Sequence, residues 1–285
     1  MLPEEKAAWR YAGSLTTPPC SEGVAWHVLS TPIEASLEQI GAFEGIFDNN
    51  FRPVQALNTR KVDGVHWGYE VDNGPSVLGD LSPYYEACRS GLEQSPIDIA
   101  SMIDTPLAPP IEIDYAATPL VIFNNGHTVE VEHEEGSSLM VGMDAWEVLQ
   151  FHFHASSEHT LDDNNERMEM HIVHRSESGE LAVLGAFIEE GMFNPELEPV
   201  FANLPREEGE PTLIAGQMVN LSSILPMDLS AWRYSGSLTT PPCSEGVRWH
   251  VLKTPIQASA SQIALFETVF DNNYRPTQAL NDRML

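Results

Sequence analysis

Positive charge is scarce in this sequence. Fourteen Lys and Arg residues stand against 42 Asp and Glu in 285 residues, a formal net charge of −28. A surface this acidic repels nucleic acid and anionic membranes, so neither is expected as a partner. The plain reading of the acidity is a solvated coat; a weak affinity for cations or a mineral surface is the alternative. Cysteine is scarce too. Cys20, Cys88 and Cys243 are all there is, and three cannot all pair within one chain. No run of 18 apolar residues occurs, so no transmembrane helix is expected. The opening Met1-Leu2-Pro3-Glu4-Glu5 has neither a basic stretch nor an apolar one and does not read as a signal peptide. The chain is therefore expected to be cytosolic, or else a processed or truncated form. The acidic cluster Asp162-Asp163-Asn164-Asn165 lacks the spacing and glycine of a calcium-binding hand and reads as a turn.

What is present is an internal repeat. A shift of 223 residues aligns Ala8–Asn58 with Ala231–Asn281, and 39 of those 51 positions are identical. The stretch Gly13–Val24, "GSLTTPPCSEGV", returns unchanged at Gly236–Val247. The period matches the length of one enzyme-sized domain, so one whole unit is preceded by the tail of another. Residues 1–60 are expected to be a partial repeat and residues 61–285 a complete domain.

The body between the two tails reads as mainly β. Gln150-Phe151-His152-Phe153-His154 alternates with period two, sending Gln150, His152 and His154 to one face and the phenylalanines to the other. Glu169, His171 and Val173 form a second such set, opposite Met168, Met170 and Ile172. Leu181–Ile188 is a continuous apolar run, as in a strand buried on both faces. Ser259–Phe270 reads as a helix capped by its serine. In an extended strand His152 and His154 have Cα atoms about 6–7 Å apart, and His171 can approach from a neighbouring strand. Three neutral imidazoles with one open position is the pattern of catalytic rather than structural zinc. Gln150 and Glu169 share those faces and are suited to accept the outer N–H of a ligand histidine.

Eight motifs in order then carry a resemblance. They are "HWGYE" (His66–Glu70), "QSPIDI" (Gln94–Ile99), "NNGHTVEV" (Asn124–Val131), "QFHFH" (Gln150–His154), "SEHT" (Ser157–Thr160), "MEMHIVH" (Met168–His174), "LAVLG" (Leu181–Gly185) and "GSLTTPPCSEGVRW" (Gly236–Trp249). Residues 65–285 resemble the α-class carbonic anhydrases, with a short His154–Glu158 link like that of bacterial or algal members. The resemblance implies a mainly β (α+β) fold: a large central mixed, mostly antiparallel twisted sheet with short peripheral helices. It implies zinc (Zn2+) on His152, His154 and His171, and reversible hydration of carbon dioxide to bicarbonate. Thr239 would take a hydrogen bond from the zinc-bound hydroxide and give one to Glu158. Thr240 would hold the substrate or product, and His127 would shuttle the proton. Gln150, Glu169 and Asn273 would support the three ligands. Val173, Val183, Leu238, Val247 and Trp249 would line the apolar pocket for carbon dioxide, and Tyr69 and Asn125 would order waters. Where many vertebrate members have asparagine three residues past the shuttle, this chain has Glu130.

The resemblance also poses the question of the two tails. The second supplies Leu238, Thr239, Thr240 and Asn273; the first offers Leu15, Thr16, Thr17 and Asn50. Cys88 has two candidate partners, Cys243 and Cys20. Secreted relatives join positions like Cys88 and Cys243, which implies that bridge here and a secreted, extracellular or periplasmic location. Tail 229–285 is expected to complete the body. Insertion of tail 1–60 instead, or its docking on another molecule as a swapped homo-oligomer, stays open. A catalytically weak relative serving as a binding module, or an acidic mineral-associated matrix module, is the alternative function. The three ligands, Glu158 and Thr239 argue against the first of these.

Overall fold

The computed structural model describes residues 8–29, 35–47, 50–56, 58, 67–82, 85–99, 108–281 and 283. The chain divides into two compact units, Met1–Trp67 and Gly68–Leu285.

In the first unit, β1 (Ala8–Ser14) and β2 (Glu22–Leu29) form an antiparallel two-stranded sheet, followed by α1 (Leu37–Glu44). A register shift between Gly13 and Ser14 ends the regular pairing, and the Trp26 indole donates to the Ser14 carbonyl at 2.8 Å. Ser36 caps α1 in a reciprocal box with Gln39, which supplies two of the helix's unpaired N–H groups with acceptors. No residue of α1 is buried. Phe43 is 56% exposed and Phe47 53%.

The second unit opens with two one-turn helices, α2 (Leu78–Leu81) and α3 (Ala87–Ser90). Strands β3 (Ile111–Asp114), β4 (Thr118–Asn124), β5 (Val129–Glu132), β6 (Ser138–Val141) and β7 (Asp144–His154) follow. A small hairpin, β8 (Thr160–Leu161) and β9 (Asn164–Asn165), precedes the central strands β10 (Met168–Arg175) and β11 (Leu181–Glu190). The hairpin turns on Asp162 and Asp163, both at positive φ. Aspartate tolerates that left-handed region better than most residues, so the acidic cluster is the expected turn. Next come α4 (Glu198–Phe201), β12 (Thr212–Val219), α5 (Leu221–Ile224), β13 (Ala231–Ser237), β14 (Glu245–Leu252), β15 (Ile256–Ala258) and α6 (Ala260–Glu267). Ser259 caps α6 as expected, but the helix ends at Glu267, three residues short of the expected Phe270. Thr268 there turns its hydroxyl onto the Leu265 carbonyl, a local bond that competes with further helix.

Eleven strands form one mixed sheet, with the path β12-β4-β5-β7-β10-β11-β14-β13. Pairing is antiparallel except where β11 meets β14 and β15, which run parallel to it. This is the large, mostly antiparallel sheet with short peripheral helices that the motifs imply. Alternation along β7 explains its two faces. Phe151 and Phe153 are fully buried among Met168, Met170, Phe201 and Phe266, beneath α4 and α6. The opposite face carries the histidines and a second cluster of Val173, Val183, Val247 and Trp249. Each large apolar side chain so buried contributes about 1.5–3 kcal/mol. A bridge joins Cys88 to Cys243, and Cys20 is free. Among the described residues, no helix is long and apolar enough to cross a membrane.

Two buried histidines make this unit acid-sensitive. His174 and His250 are both pushed down to about 3, chiefly by burial. Neither His250 ring nitrogen has a hydrogen-bond partner. Below the ordinary histidine value, near 6.5, the unfolded chain binds protons that the folded one does not. Their contribution is therefore complete above that pH and lost as pH falls toward about 3. His250→Phe is expected to flatten the dependence of unfolding free energy on pH in this window by up to about 1.4 kcal/mol per pH unit. Urea unfolding at several pH values measures the slope; an unchanged slope refutes the assignment.

Candidate metal centre

β7 and β10 pair antiparallel with His171 across from His152, Glu169 across from His154 and Val173 across from Gln150. Side chains of such partners emerge on the same face. The sheet register therefore gathers three imidazoles on one patch. Their ring centroids are 5.1 Å (His152 to His154), 5.3 Å (His152 to His171) and 4.7 Å (His154 to His171) apart. One nitrogen from each lies within 4.8 Å of the others. His154 and His171 are buried and His152 is half-buried.

The far nitrogen of each ring has its own neighbour. His152 Nδ1 is 2.8 Å from Gln150 Oε1, and His154 Nδ1 is 2.6 Å from the backbone oxygen of Asn273. His171 Nε2 is 3.0 Å from Glu169 Oε1, close in distance though not aligned as a hydrogen bond. These contacts fix the tautomers and leave Nε2 of His152, Nε2 of His154 and Nδ1 of His171 to converge. His154 Nε2 is buried without a hydrogen-bond partner. A buried polar atom in that state is costly unless something coordinates it. The donor set, three imidazole nitrogens, suits zinc.

Burial, followed by repulsion from the other two rings, pulls the His152 pKa well below its ordinary value. Burial also lowers His154, against the opposing pull of Glu158. For His171 burial acts downward, but Glu169 and then Glu158 outweigh it and the net shift is upward. Glu169 itself sits well below the usual carboxylate range, because His159 and His171 outweigh the upward push of burial. Two of the three imidazoles are thus held neutral, the form a metal requires.

Other expected residues gather around this patch. Glu158 Oε1 accepts from the Arg275 backbone N–H at 2.8 Å. Its Oε2 is buried without a hydrogen-bond partner, 3.7 Å from His154 Nε2 and 3.9 Å from His171 Nδ1. Thr239 is buried, but the expected hydrogen bond between it and Glu158 is not made, since Arg275 engages the one oxygen and the other has no partner. Val173, Val183, Val247 and Trp249 pack in one cluster with half-buried Leu238 against it. Thr240 is half-buried and its carbonyl closes the turn to the Cys243 N–H. Asn273 supports His154 through its carbonyl, while its side chain ties the Ala155 N–H to the His127 and Phe153 carbonyls. Asn125 is a turn former: its Oδ1 accepts from the His127 and Thr128 N–H groups, and its Nδ2 donates to Glu130. Burial raises the Glu130 pKa, the Asn125 bond lowers it, and Glu132 adds a further rise. His127 is half-buried. The Tyr69 hydroxyl is pushed well above its ordinary pKa by burial first and Glu158 second. His66 lies outside the described residues.

Two residues of this network were not singled out from the sequence. Arg275 donates from Nη1 to Gln94 Oε1 and the Ser95 carbonyl, and from Nη2 to the Cys88 carbonyl. Tyr234 links His159 Nε2, 2.7 Å away, to Ser95. A lone arginine beside Pro276 in so base-poor a chain was the available signal for the first. His159 is fully buried, with its Nδ1 2.8 Å from Glu169 Oε1.

A three-imidazole site on one face of a large mixed sheet defines a class of metal-dependent enzyme, and the comparisons then specify it. The family model for eukaryotic-type carbonic anhydrase matches residues 1–65 and 80–285. The chain belongs to that family. It is 44% identical over 225 residues to a carbonic anhydrase of Nostoc, covering 78% of this chain and 85% of that protein. A carbonic anhydrase of Klebsiella pneumoniae is 40% identical over 223 residues, covering 77% and 90%. The solved α-carbonic anhydrase of Thermovibrio ammonificans, in complex with the inhibitor sulfanilamide, superposes with a TM-score of 0.74 at 42% identity, covering 78% of this chain and 98% of that one.

Removing the Arg275 guanidinium leaves three buried acceptors without their donor. Arg275→Met is expected to lower stability by about 3 kcal/mol, read as a shift of the urea midpoint. A midpoint within error of the parent chain's refutes the anchoring role.

Proposed function

We propose that the second unit is a zinc enzyme catalysing the reversible hydration of carbon dioxide to bicarbonate and a proton. The observation that carries this reading is the convergence of His152, His154 and His171, each with a polar neighbour within 3.0 Å of its outer nitrogen, in a chain of the carbonic anhydrase family. His152, His154 and His171 would hold the zinc, which when bound would supply a water with a pKa of about 7, a figure for which carbonic anhydrase is the reference case.

The chain's own residues do the rest. The Arg275 backbone N–H on Oε1 holds the Glu158 carboxyl in place. The Thr239–Glu158 hydrogen bond is not formed in this structure; in the working site a turn of the Thr239 hydroxyl onto the free Glu158 Oε2 would leave only its lone pairs for the nucleophilic water. That dictates which way the nucleophile points, the kind of preorganisation worth several kcal/mol in a dry site. Val173, Val183, Leu238, Val247 and Trp249 offer the apolar substrate a wall with no hydrogen-bonding groups to desolvate, and Thr240 holds the bicarbonate side. His127 takes the released proton, a role that suits an imidazole because the ordinary value for that group is about 6.5. Tyr69 and Asn125 stand beside that route. We place the protein outside the cytosol, in the extracellular space or periplasm, because the Cys88–Cys243 bridge persists in oxidising surroundings. Residues 61–285 are read as the catalytic domain, completed by its own C-terminal segment.

Thr239→Val is expected to lower the carbon dioxide hydration rate per bound zinc on the order of a hundredfold, while Thr16→Val in the Cys88–Cys243 form leaves it unchanged. The opposite pattern assigns the site to the first tail. His127→Ala is expected to slow turnover only in dilute buffer, with added imidazole restoring the rate. A loss that imidazole does not restore removes His127 from the proton route.

A further inference from the structure

The two copies of the repeated segment have the same local shape and opposite surroundings. The first forms its hairpin in the register of the second, with a shift at Gly13/Ser14 matching that at Gly236/Ser237. Tyr11 stacks on Trp26 at 6.2 Å as Tyr234 does on Trp249 at 6.1 Å. Ser36 and Ser259 make the same capping box. In the second copy, β14 pairs with β13 on one edge and with β11 on the other. In the first, among the described residues, β2 pairs with β1 alone.

The 12 differences between the copies are distributed by burial. Every one falls where the second copy is exposed or half-buried. Every position buried in the second copy carries the identical residue in the first, Val24, Trp26, Val28, Ile40, Phe43 and Asn50 among them. Solvent-facing Arg248 and Lys253 correspond to Ala25 and Ser30, and Gln257 and Ser261 to Glu34 and Glu38. Random drift does not spare one face. In the first copy Val28 is 42% exposed, Ile40 44% and Phe43 56%, while Val24 and Trp26 are half-buried. In the second copy the same face lies against the β11 strand and the core of the catalytic unit.

We propose that residues 8–58 are a second sheet-completing segment, which docks on the β11 edge of another copy of this chain in place of that copy's residues 231–281. The occupant is a second copy because the complementary surface is the body of this chain, and the short link of residues 59–67 restricts docking on its own body. The contact residues are the same, so the two segments make nearly equal contacts; the tethered tail has the higher effective concentration, and the neighbour's gains with protein concentration until Cys88 is oxidised. Bridging to Cys243 locks the chain's own tail in; bridging to Cys20 locks in the tail of a neighbour. With glutathione disulfide as oxidant, either bridge forms as two thiols lose two protons and two electrons, reducing the oxidant to two molecules of glutathione. The exchange is head-to-tail, so it grows rings or chains.

Full-length Cys243→Ser, oxidised with glutathione disulfide, tests this. The expected result is a Cys20–Cys88 peptide found in covalent dimers and larger species on non-reducing gels, which collapse to monomer on reduction. Adding Trp26→Asp, at a docking position, should abolish those species, and adding Ala25→Arg, at a solvent position, should leave them. Cys88 left as a thiol, Cys88 bridged within its own chain, or species that survive Trp26→Asp overturns the proposal. As a check independent of that variant's folding, the parent chain is reduced, unfolded and refolded at rising concentration. An interchain Cys20–Cys88 fraction that rises with concentration supports docking; none at any concentration overturns it.

Discussion

The antiparallel register between β7 and β10 is the constraint on which the site depends. It sets His171 opposite His152 and Glu169 opposite His154. A slip of one residue would send the histidines into the apolar layer and Phe151 and Phe153 out of it. The cost of exposing those phenylalanines, with Met168, Met170 and Ile172 on the partner strand, protects the geometry of the imidazoles. The catalytic face is held in place by the face that does no chemistry.

The second constraint is electrostatic. Glu158, Glu169, His159, His171 and Arg275 are all buried within a few residues of one another in space. Groups of this kind are tolerable only when each finds a partner. Glu169 meets this by holding His159, by lying against His171, and by accepting the N–H groups of both Glu158 and His159 at 2.9 Å. Arg275 binds three acceptors in the Cys88–Ser95 stretch, close to where the disulfide crosses to Cys243. The C-terminal segment is thereby fastened at two points, Cys243 and Arg275, and Thr239 lies just ahead of the first. Asn273, two residues earlier, reaches His154 by its carbonyl, so the same fastening also fixes that ring.

The duplicated segment separates propensity from burial within a single molecule. Hairpin register, aromatic stacking and helix cap are the same in both copies, so these are local properties of the residues. Burial differs at the shared apolar positions, so it is a property of the partner. Trp249 is 2% exposed while half of the surface of Phe43, whose counterpart Phe266 is fully buried, meets solvent.

Much of the site was legible in the sequence for the same reason. Period-two alternation fixes the direction of each side chain in a strand, which separated Gln150, His152 and His154 from Phe151 and Phe153 and grouped Glu169, His171 and Val173. Turn and cap residues act over three or four positions, which made Asp162–Asp163 and Ser259 readable, though not the end of α6, where a side-chain bond at Thr268 intervenes. Motif order carried the family and the Cys88–Cys243 pairing. Tertiary structure alone decided the contacts across more than a hundred residues: the Asn273 carbonyl on His154, Arg275 on Glu158 and Gln94, and Tyr234 on His159 and Ser95. It also decided which of two nearly identical tails lies along β11. Local patterns specify which way a residue points, but identical residues specify identical faces, and only the chain's path through space determines which face meets the sheet.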